Sequence, residues 1–94
     1  MKVYIIGKIT GLPREYVVEK FRKAELKLQG AGMIVVNPVN LVPEETTWNA
    51  AMRTCIGALV KCDAVALCGD WHKSEGGKLE AEIALQLDLI TFEV

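Results

Sequence analysis

Histidine is scarce in this chain, and its cysteines are not arranged as metal ligands. The sequence holds one histidine, His72, and three cysteines, Cys55, Cys62 and Cys68, with no C-x-x-C pair. We therefore expect no metal site, and no residue cluster suggests an organic cofactor. An odd number of cysteines within predicted helices and strands also argues against a disulfide framework. Free buried thiols in a reducing cytoplasm fit this pattern better.

Long hydrophobic runs and an excess of charge are also missing. No apolar run approaches the roughly 20 residues that span a bilayer, and the first run, Val3 to Ile6, is too short for the core of a signal peptide. The formal net charge is −1, so nothing favours binding to a nucleic-acid backbone. We expect a cytoplasmic protein whose partners include neither a membrane nor a nucleic-acid polymer.

The chain is short but rich in apolar residues. Its 94 residues are 51% hydrophobic, which suits one packed domain spanning residues 1–94. Domains of this size bury a modest share of their surface, and association between subunits often supplements that burial. We therefore expect a homodimer or a higher homo-oligomer.

Four short apolar runs predict β-strands. Their apolar character is nearly continuous rather than alternating, which is typical of strands covered on both faces in a parallel sheet. The predicted strands are Val3 to Ile6, Met33 to Val36, Ala64 to Cys68 and Leu89 to Phe92.

Three segments between the strands have apolar residues at three- and four-residue steps, which predicts helices. Their boundaries follow from proline, glycine and N-cap signals. The first begins after Pro13 and ends at Gly30 and Gly32. The second begins at Trp48 after Thr46 or Thr47 and runs toward Lys61. The third runs from about Gly77 to Leu87, with Leu79, Ile83 and Leu87 on its apolar face.

The alternation of strands and helices predicts an α/β fold. Right-handed crossovers favour a small doubly wound, flavodoxin-like parallel sheet of about four strands in the order 2-1-3-4, with helices on both faces. In that order the loops beginning at Gly7 and Gly69 face each other across one crevice. Such crevices at the carboxyl ends of strands hold the ligands of open α/β sheets.

Glu80 is the candidate catalytic residue. It follows the glycine-rich turn Ser74 to Gly77 in the first turns of a predicted helix. The helix dipole there favours an ionised carboxylate, which can act as a nucleophile or base. Acidic residues also occupy such positions simply because they stabilise helices, and both interpretations stay open.

Residues of the glycine-rich turn are candidate ligands of a phosphate. Ser74, Gly76 and Gly77 can bring a hydroxyl and backbone amides close to an anion at a helix N-terminus. Ser74 is equally well explained as an N-cap. The loop after the first strand has the same two interpretations for Gly7, Thr10 and Gly11. Lys8 in that loop adds a positive charge that meets a phosphate or lies in solvent.

Two aromatic residues are further candidates for substrate contact. Trp71, in the loop after the third strand, offers an apolar wall for a base or a sugar. Tyr4 lies inside the first strand, a position more typical of the core.

The order of these motifs resembles a family of short bacterial and phage domains of unassigned function. That family is similar to the nucleoside 2-deoxyribosyltransferases and the deoxynucleoside 5′-monophosphate N-glycosidases. The motifs cover nearly the whole chain: Tyr4 to Gly11, Val36-Asn37-Pro38, Trp48 with Met52-Arg53, Cys62-Asp63-Ala64, and Gly69-Asp70-Trp71 with Ser74, Gly76 and Leu79-Glu80.

This resemblance implies a retaining N-glycosidase or a deoxyribosyltransferase acting on a small nucleoside or nucleotide. Glu80 would attack the anomeric carbon of the sugar, and Ser74 would contact a 5′-phosphate. The stretch from Tyr4 to Gly11 would line the pocket for base and sugar.

Two positions differ from the related enzymes. Cys55 stands where they place an aspartate that assists departure of the base, and a thiol is a poor acid for this task. Gly7-Lys8 stands where their first loop reads Gly-Pro. Both differences also fit an alternative function, a nucleotide-binding protein that uses the same crevice without turnover.

Overall fold

A computed structural model describes residues 1–94 as four strands and three α-helices in alternation. Two short 3₁₀ turns, Pro38–Asn40 and Trp71–Lys73, lie in the connections. None of the helices has the length and apolar character that crossing a membrane requires. The elements are β1 (Lys2–Ile6), α1 (Arg14–Gly30), β2 (Ile34–Val36), α2 (Trp48–Leu59), β3 (Ala64–Leu67), α3 (Glu75–Gln86) and β4 (Ile90–Glu93).

The four strands form one parallel sheet in the order β2-β1-β3-β4. The predicted fold class and strand order are therefore confirmed. In the central pair, Tyr4 lies opposite Val65 and Ile6 opposite Leu67. The side chains of β1 from Val3 to Ile6 are fully buried, as expected for a strand covered on both faces.

Successive residues of β1 point to opposite faces of the sheet, and each face has its own helices. Val3 and Ile5 pack with Phe21 of α1 on one face. Tyr4 and Ile6 share the other face with residues of α2 and α3, among them Leu59. The register of β1 thereby turns the hydroxyl of Tyr4 toward α3.

The buried face of α3 differs from the prediction. Leu79 and Leu87, expected in the core, are exposed, and the helix buries Gly76, Gly77, Glu80 and Ala84 instead. Small residues on this face bring α3 close to its neighbours, and the same face carries Glu80. Ile83, the third residue of the predicted apolar face, does pack against the core. The buried face is therefore the predicted one rotated toward Glu80 and Ala84, because α3 contacts both α2 and the sheet.

The ends of the elements shift by a few residues from their predicted positions. The third helix starts at Glu75 rather than Gly77, because Ser74 caps it and its first turn includes both glycines. The second helix ends at Leu59 instead of near Lys61, and β3 ends at Leu67 instead of Cys68.

Candidate active site

The loops that follow β1 and β3 are joined by hydrogen bonds. The backbone N–H of Lys8 donates to Oδ1 of Asp70 over 3.0 Å. The ammonium of Lys20, on α1, lies 2.6 Å from Oδ2 of Asp70 and 2.6 Å from the carbonyl oxygen of Lys8. The expectation that these two loops face each other is confirmed, and Lys20 with Asp70 fixes their separation.

Asp70 is ionised in this arrangement. Its partial burial alone would raise the pKa of the carboxyl, but the Lys20 ammonium and the Lys8 amide hold that pKa below its ordinary value. The carboxylate therefore acts as a charged bridge between the loops.

A cavity of about 450 Å³ opens beside these loops, within the range of small-molecule sites. Its walls come from the β1–α1 loop, the segment 38–46, and the first turns of α2 and α3. Most of the residues that the sequence marked as candidates line it, namely Tyr4, Gly7, Thr10, Gly11, Ser74, Gly76, Gly77 and Glu80.

Glu80 and Tyr4 form a hydrogen-bonded pair in the wall of this cavity. The Tyr4 hydroxyl donates to Oε2 of Glu80 over 2.5 Å. Only 6% of the Glu80 surface is exposed, and Tyr4 is fully buried. Burial raises the pKa of Glu80 to about 7, although the Tyr4 hydrogen bond acts in the opposite direction. Near neutral pH both forms of the carboxyl are therefore populated.

The pKa of Tyr4 is raised far above its usual value. Burial is the main cause, and the charge of Glu80 adds to it. The hydroxyl thus keeps its proton and serves as a neutral donor that orients the carboxylate of Glu80.

Cys55 reaches the same cavity from α2. The residue is 7% exposed, and burial raises the pKa of its thiol. A hydrogen bond with Tyr4 lowers this pKa in part, whereas the charge of Glu80 raises it further. The thiol is therefore neutral at physiological pH.

The glycine-rich turn packs too closely for side chains. A Cβ on Gly77 would lie 2.7 Å from the carbonyl oxygen of Trp71, and one on Gly76 would lie 2.9 Å from Sδ of Met52. The hydroxyl oxygen of Ser74 accepts a hydrogen bond from the Gly77 amide over 2.9 Å. Ser74 is thus the N-cap of α3, while its hydroxyl proton is available to a ligand.

Two candidate residues lie away from the cavity. The ammonium of Lys8 is 3.3 Å from the backbone carbonyl of Lys73, outside the cavity wall. Trp71 packs against the apolar cluster of Tyr4 and Leu59 beneath α2 and α3, where it supports the turn that contains Gly77.

The structure adds wall residues that sequence reasoning did not select. Arg14, at the start of α1, lies 3.6 Å from Glu44 of the segment 38–46, and both line the cavity. Trp48 and Met52 form part of the α2 side. The segment 38–46 has no regular pattern beyond its prolines, so only the fold places it beside the site.

The arrangement places one buried carboxyl group, that of Glu80, in the wall of a partly apolar cavity, and this group changes its charge near neutral pH. No group of three or more His, Cys, Asp or Glu side chains is arranged to hold a metal ion. A carboxylate whose pKa is near 7 can act as a nucleophile or as a general base at neutral pH.

Comparison with known proteins gives a family but no activity. A search of curated proteins found no match to the chain. A family model named DUF4406, described as a domain of unknown function, matches residues 1–92. Because that match covers nearly the whole chain, the protein belongs to the DUF4406 family.

Proposed function

We propose that this protein cleaves or transfers at the N-glycosidic bond of a nucleoside or nucleotide, with Glu80 as the nucleophile. The observation that carries the proposal is a buried carboxyl, oriented by Tyr4, in the wall of a cavity large enough for such a ligand. The motifs that resemble nucleoside 2-deoxyribosyltransferases and N-glycosidases support the same chemistry.

The proposed reaction proceeds in two steps. The ionised carboxylate of Glu80 attacks the anomeric carbon while the base departs, which gives a glycosyl ester on the enzyme. Water or a second base then attacks that carbon and releases Glu80. The neutral hydroxyl of Tyr4 holds one carboxylate oxygen, Oε2, and the other oxygen has no hydrogen-bond partner and would be the attacking atom. Burial excludes water and strengthens the attraction between the carboxylate and an oxocarbenium-like transition state.

The start of α3 is the proposed site for a 5′-phosphate. A helix N-terminus favours anions, and the Ser74 hydroxyl proton is free to donate there. Ser74→Ala should weaken a phosphate-bearing ligand more than its dephosphorylated form. Loss of the cap itself would lower the stability of the fold by about 1 kcal/mol. Equal weakening of both ligands would exclude the phosphate role.

The test is release of free base from a panel of nucleosides and 5′-monophosphates, followed by chromatography. Glu80→Gln and Glu80→Ala should abolish release, and circular dichroism should show an unchanged fold. Glu82→Gln is the matched control, because Glu82 is exposed on the same helix and contacts Gln86. Unchanged release in either Glu80 variant would refute the proposal.

A second candidate function is nucleotide binding without turnover. The neutral Cys55 thiol favours it, because a thiol with a raised pKa is a poor proton donor for a departing base. Ligand-dependent thermal stabilisation with no release of base would support this function.

We also propose that the protein works in the cytoplasm as a homo-oligomer. Leu79 and Leu85 of α3 and Leu87 directly after it are exposed, and their burial between subunits would add apolar contact area to a small domain. Light scattering coupled to size exclusion would measure the oligomeric state, and a monomer at micromolar concentration would contradict the proposal.

A further inference from the structure

Glu80 is not paired with any positively charged side chain. Its one hydrogen-bond partner is the hydroxyl of Tyr4 from β1, and its titratable neighbour from α2 is the neutral thiol of Cys55. The other charged residues of the cavity wall are Arg14 and Glu44, which lie 3.6 Å from each other. No lysine, arginine or histidine forms an ion pair with Glu80.

An unpaired buried carboxylate is costly, and this cost depends on what fills the cavity. A neutral ligand displaces water and makes the ionised form of Glu80 less favourable. A cationic ligand supplies the missing countercharge in a region of low polarity, where the attraction is strong. The ionised site therefore discriminates by charge as well as by shape.

The same residues limit which bases can depart. A neutral base leaves as an anion unless an acid protonates it, and the Tyr4 proton is already shared with Glu80. The Cys55 thiol is a weak acid. A base with a fixed positive charge needs no proton, because it leaves as a neutral molecule.

We infer that this site selects N-glycosides whose base carries a fixed positive charge at the glycosidic ring, such as pyridinium nucleosides. This inference rests on the proposed function and names its substrate class. In the first step a Glu80 oxygen forms a bond to the anomeric carbon and the carbon–nitrogen bond breaks. The electron pair of that bond passes to the ring nitrogen and cancels its charge. Water then adds to the anomeric carbon, the ester bond to Glu80 breaks, and the water proton passes to solvent.

The test compares nicotinamide riboside with its neutral 1,4-dihydro form, a pair that has nearly the same shape. Affinities are measured at pH 8 by equilibrium titration, and free nicotinamide is assayed in the same samples. The wild-type protein should bind the cationic member about tenfold more tightly or better. Glu80→Gln, which keeps the acceptor for Tyr4 and removes the charge, should abolish this preference. Glu82→Gln should retain it.

The outcomes separate this inference from the proposed function. Equal affinity for the two members, or a preference that persists in Glu80→Gln, would overturn the inference even if base is released from neutral nucleosides. A preference that depends on Glu80 supports it, whether or not nicotinamide is released, whereas release in the same samples reports on the proposed function. Between pH 8 and pH 6 the preference should fall, because Glu80 becomes protonated while the pyridinium keeps its charge.

Discussion

The hydroxyl of Tyr4 donates a hydrogen bond to the carboxylate of Glu80, although 76 residues separate them in the sequence. The bond exists because β1 turns Tyr4 toward the face that α3 covers, and α3 turns Glu80 inward through its glycine-rich first turn. The Tyr4–Glu80 pair, the Lys20–Asp70 bridge between the loops after β1 and β3, and the packing of α3 can each be tested by substitution.

Removal of the Tyr4 hydroxyl should make ionisation of Glu80 harder. In Tyr4→Phe the ring stays in the core, but the buried carboxylate loses its donor. The pKa of Glu80 should rise further above about 7, and the fold should lose about 1–3 kcal/mol of stability at pH 8. Carbon-13 NMR of the glutamate carboxyl groups measures the titration. Tyr16→Phe, at an exposed position, should leave both quantities unchanged; an unchanged Glu80 titration in Tyr4→Phe would disprove the coupling.

Glu80 should destabilise the fold at high pH. The carboxyl titrates near 4.5 in the unfolded chain and near 7 in the folded protein, so the folded state holds the proton more tightly. Stability is complete below about pH 4.5 and falls as the pH rises through about 7. Glu80→Gln cannot ionise, so it should exceed the wild type by up to about 3 kcal/mol at pH 8, with little difference at pH 4. Urea unfolding at both pH values measures this, with Glu82→Gln as control, and a pH-independent difference would contradict the assignment.

Asp70 should stabilise the fold in the opposite pH range. Its pKa is lowered in the folded protein, so its contribution is present above the unfolded pKa near 3.8 and is lost as the pH falls through the folded value. Asp70→Asn should cost about 1–3 kcal/mol at pH 7 and less in acid. Glu19→Gln removes an exposed partner of Arg22, and its effect on stability should be clearly smaller, because water and salt screen an exposed ion pair. Equal losses in the two variants would show that the Lys20–Asp70 bridge has no special role.

The first turn of α3 should not tolerate a methyl group. Gly77→Ala places Cβ against the Trp71 carbonyl and should cost about 1–3 kcal/mol. Gly57→Ala is the control, because Gly57 lies exposed inside α2 with no atom within 4 Å of an added Cβ. That variant should gain about 0.5–1 kcal/mol from helix propensity. Thermal unfolding distinguishes the two, and a stable Gly77→Ala variant would refute the close approach.

The fold was largely predictable because its signals are local. Continuous apolar runs such as Val3 to Ile6 indicated buried parallel strands. Pro13 and the pair Thr46-Thr47 marked where two helices begin, and Thr47 is the N-cap in the structure. The rotation of α3 was not predictable. The stripe of Leu79, Ile83 and Leu87 predicted the buried face, yet Gly76 and Gly77 allow a close approach on the adjoining face. Apolar periodicity carries no information on how closely two elements pack.

The candidate site was likewise predictable from the sequence only in part. Its glycine-rich turn and Glu80 could be selected from spacing after a strand, whereas Lys8 and Trp71, selected by the same reasoning, lie outside the cavity. The contacts of Arg14 with Glu44 and of Tyr4 with Glu80 had no sequence signal, since each joins distant segments.

The sequence by itself determined the order of strands and helices, the parallel sheet and the edge of the sheet at which the cavity lies, because these depend on local periodicity and chain connectivity. Only the tertiary structure decided which groups surround Glu80. Its burial, its bond to Tyr4 and the lack of a cationic partner come from three elements packing together, and these long-range contacts set the pKa of the carboxyl and therefore the chemistry open to it.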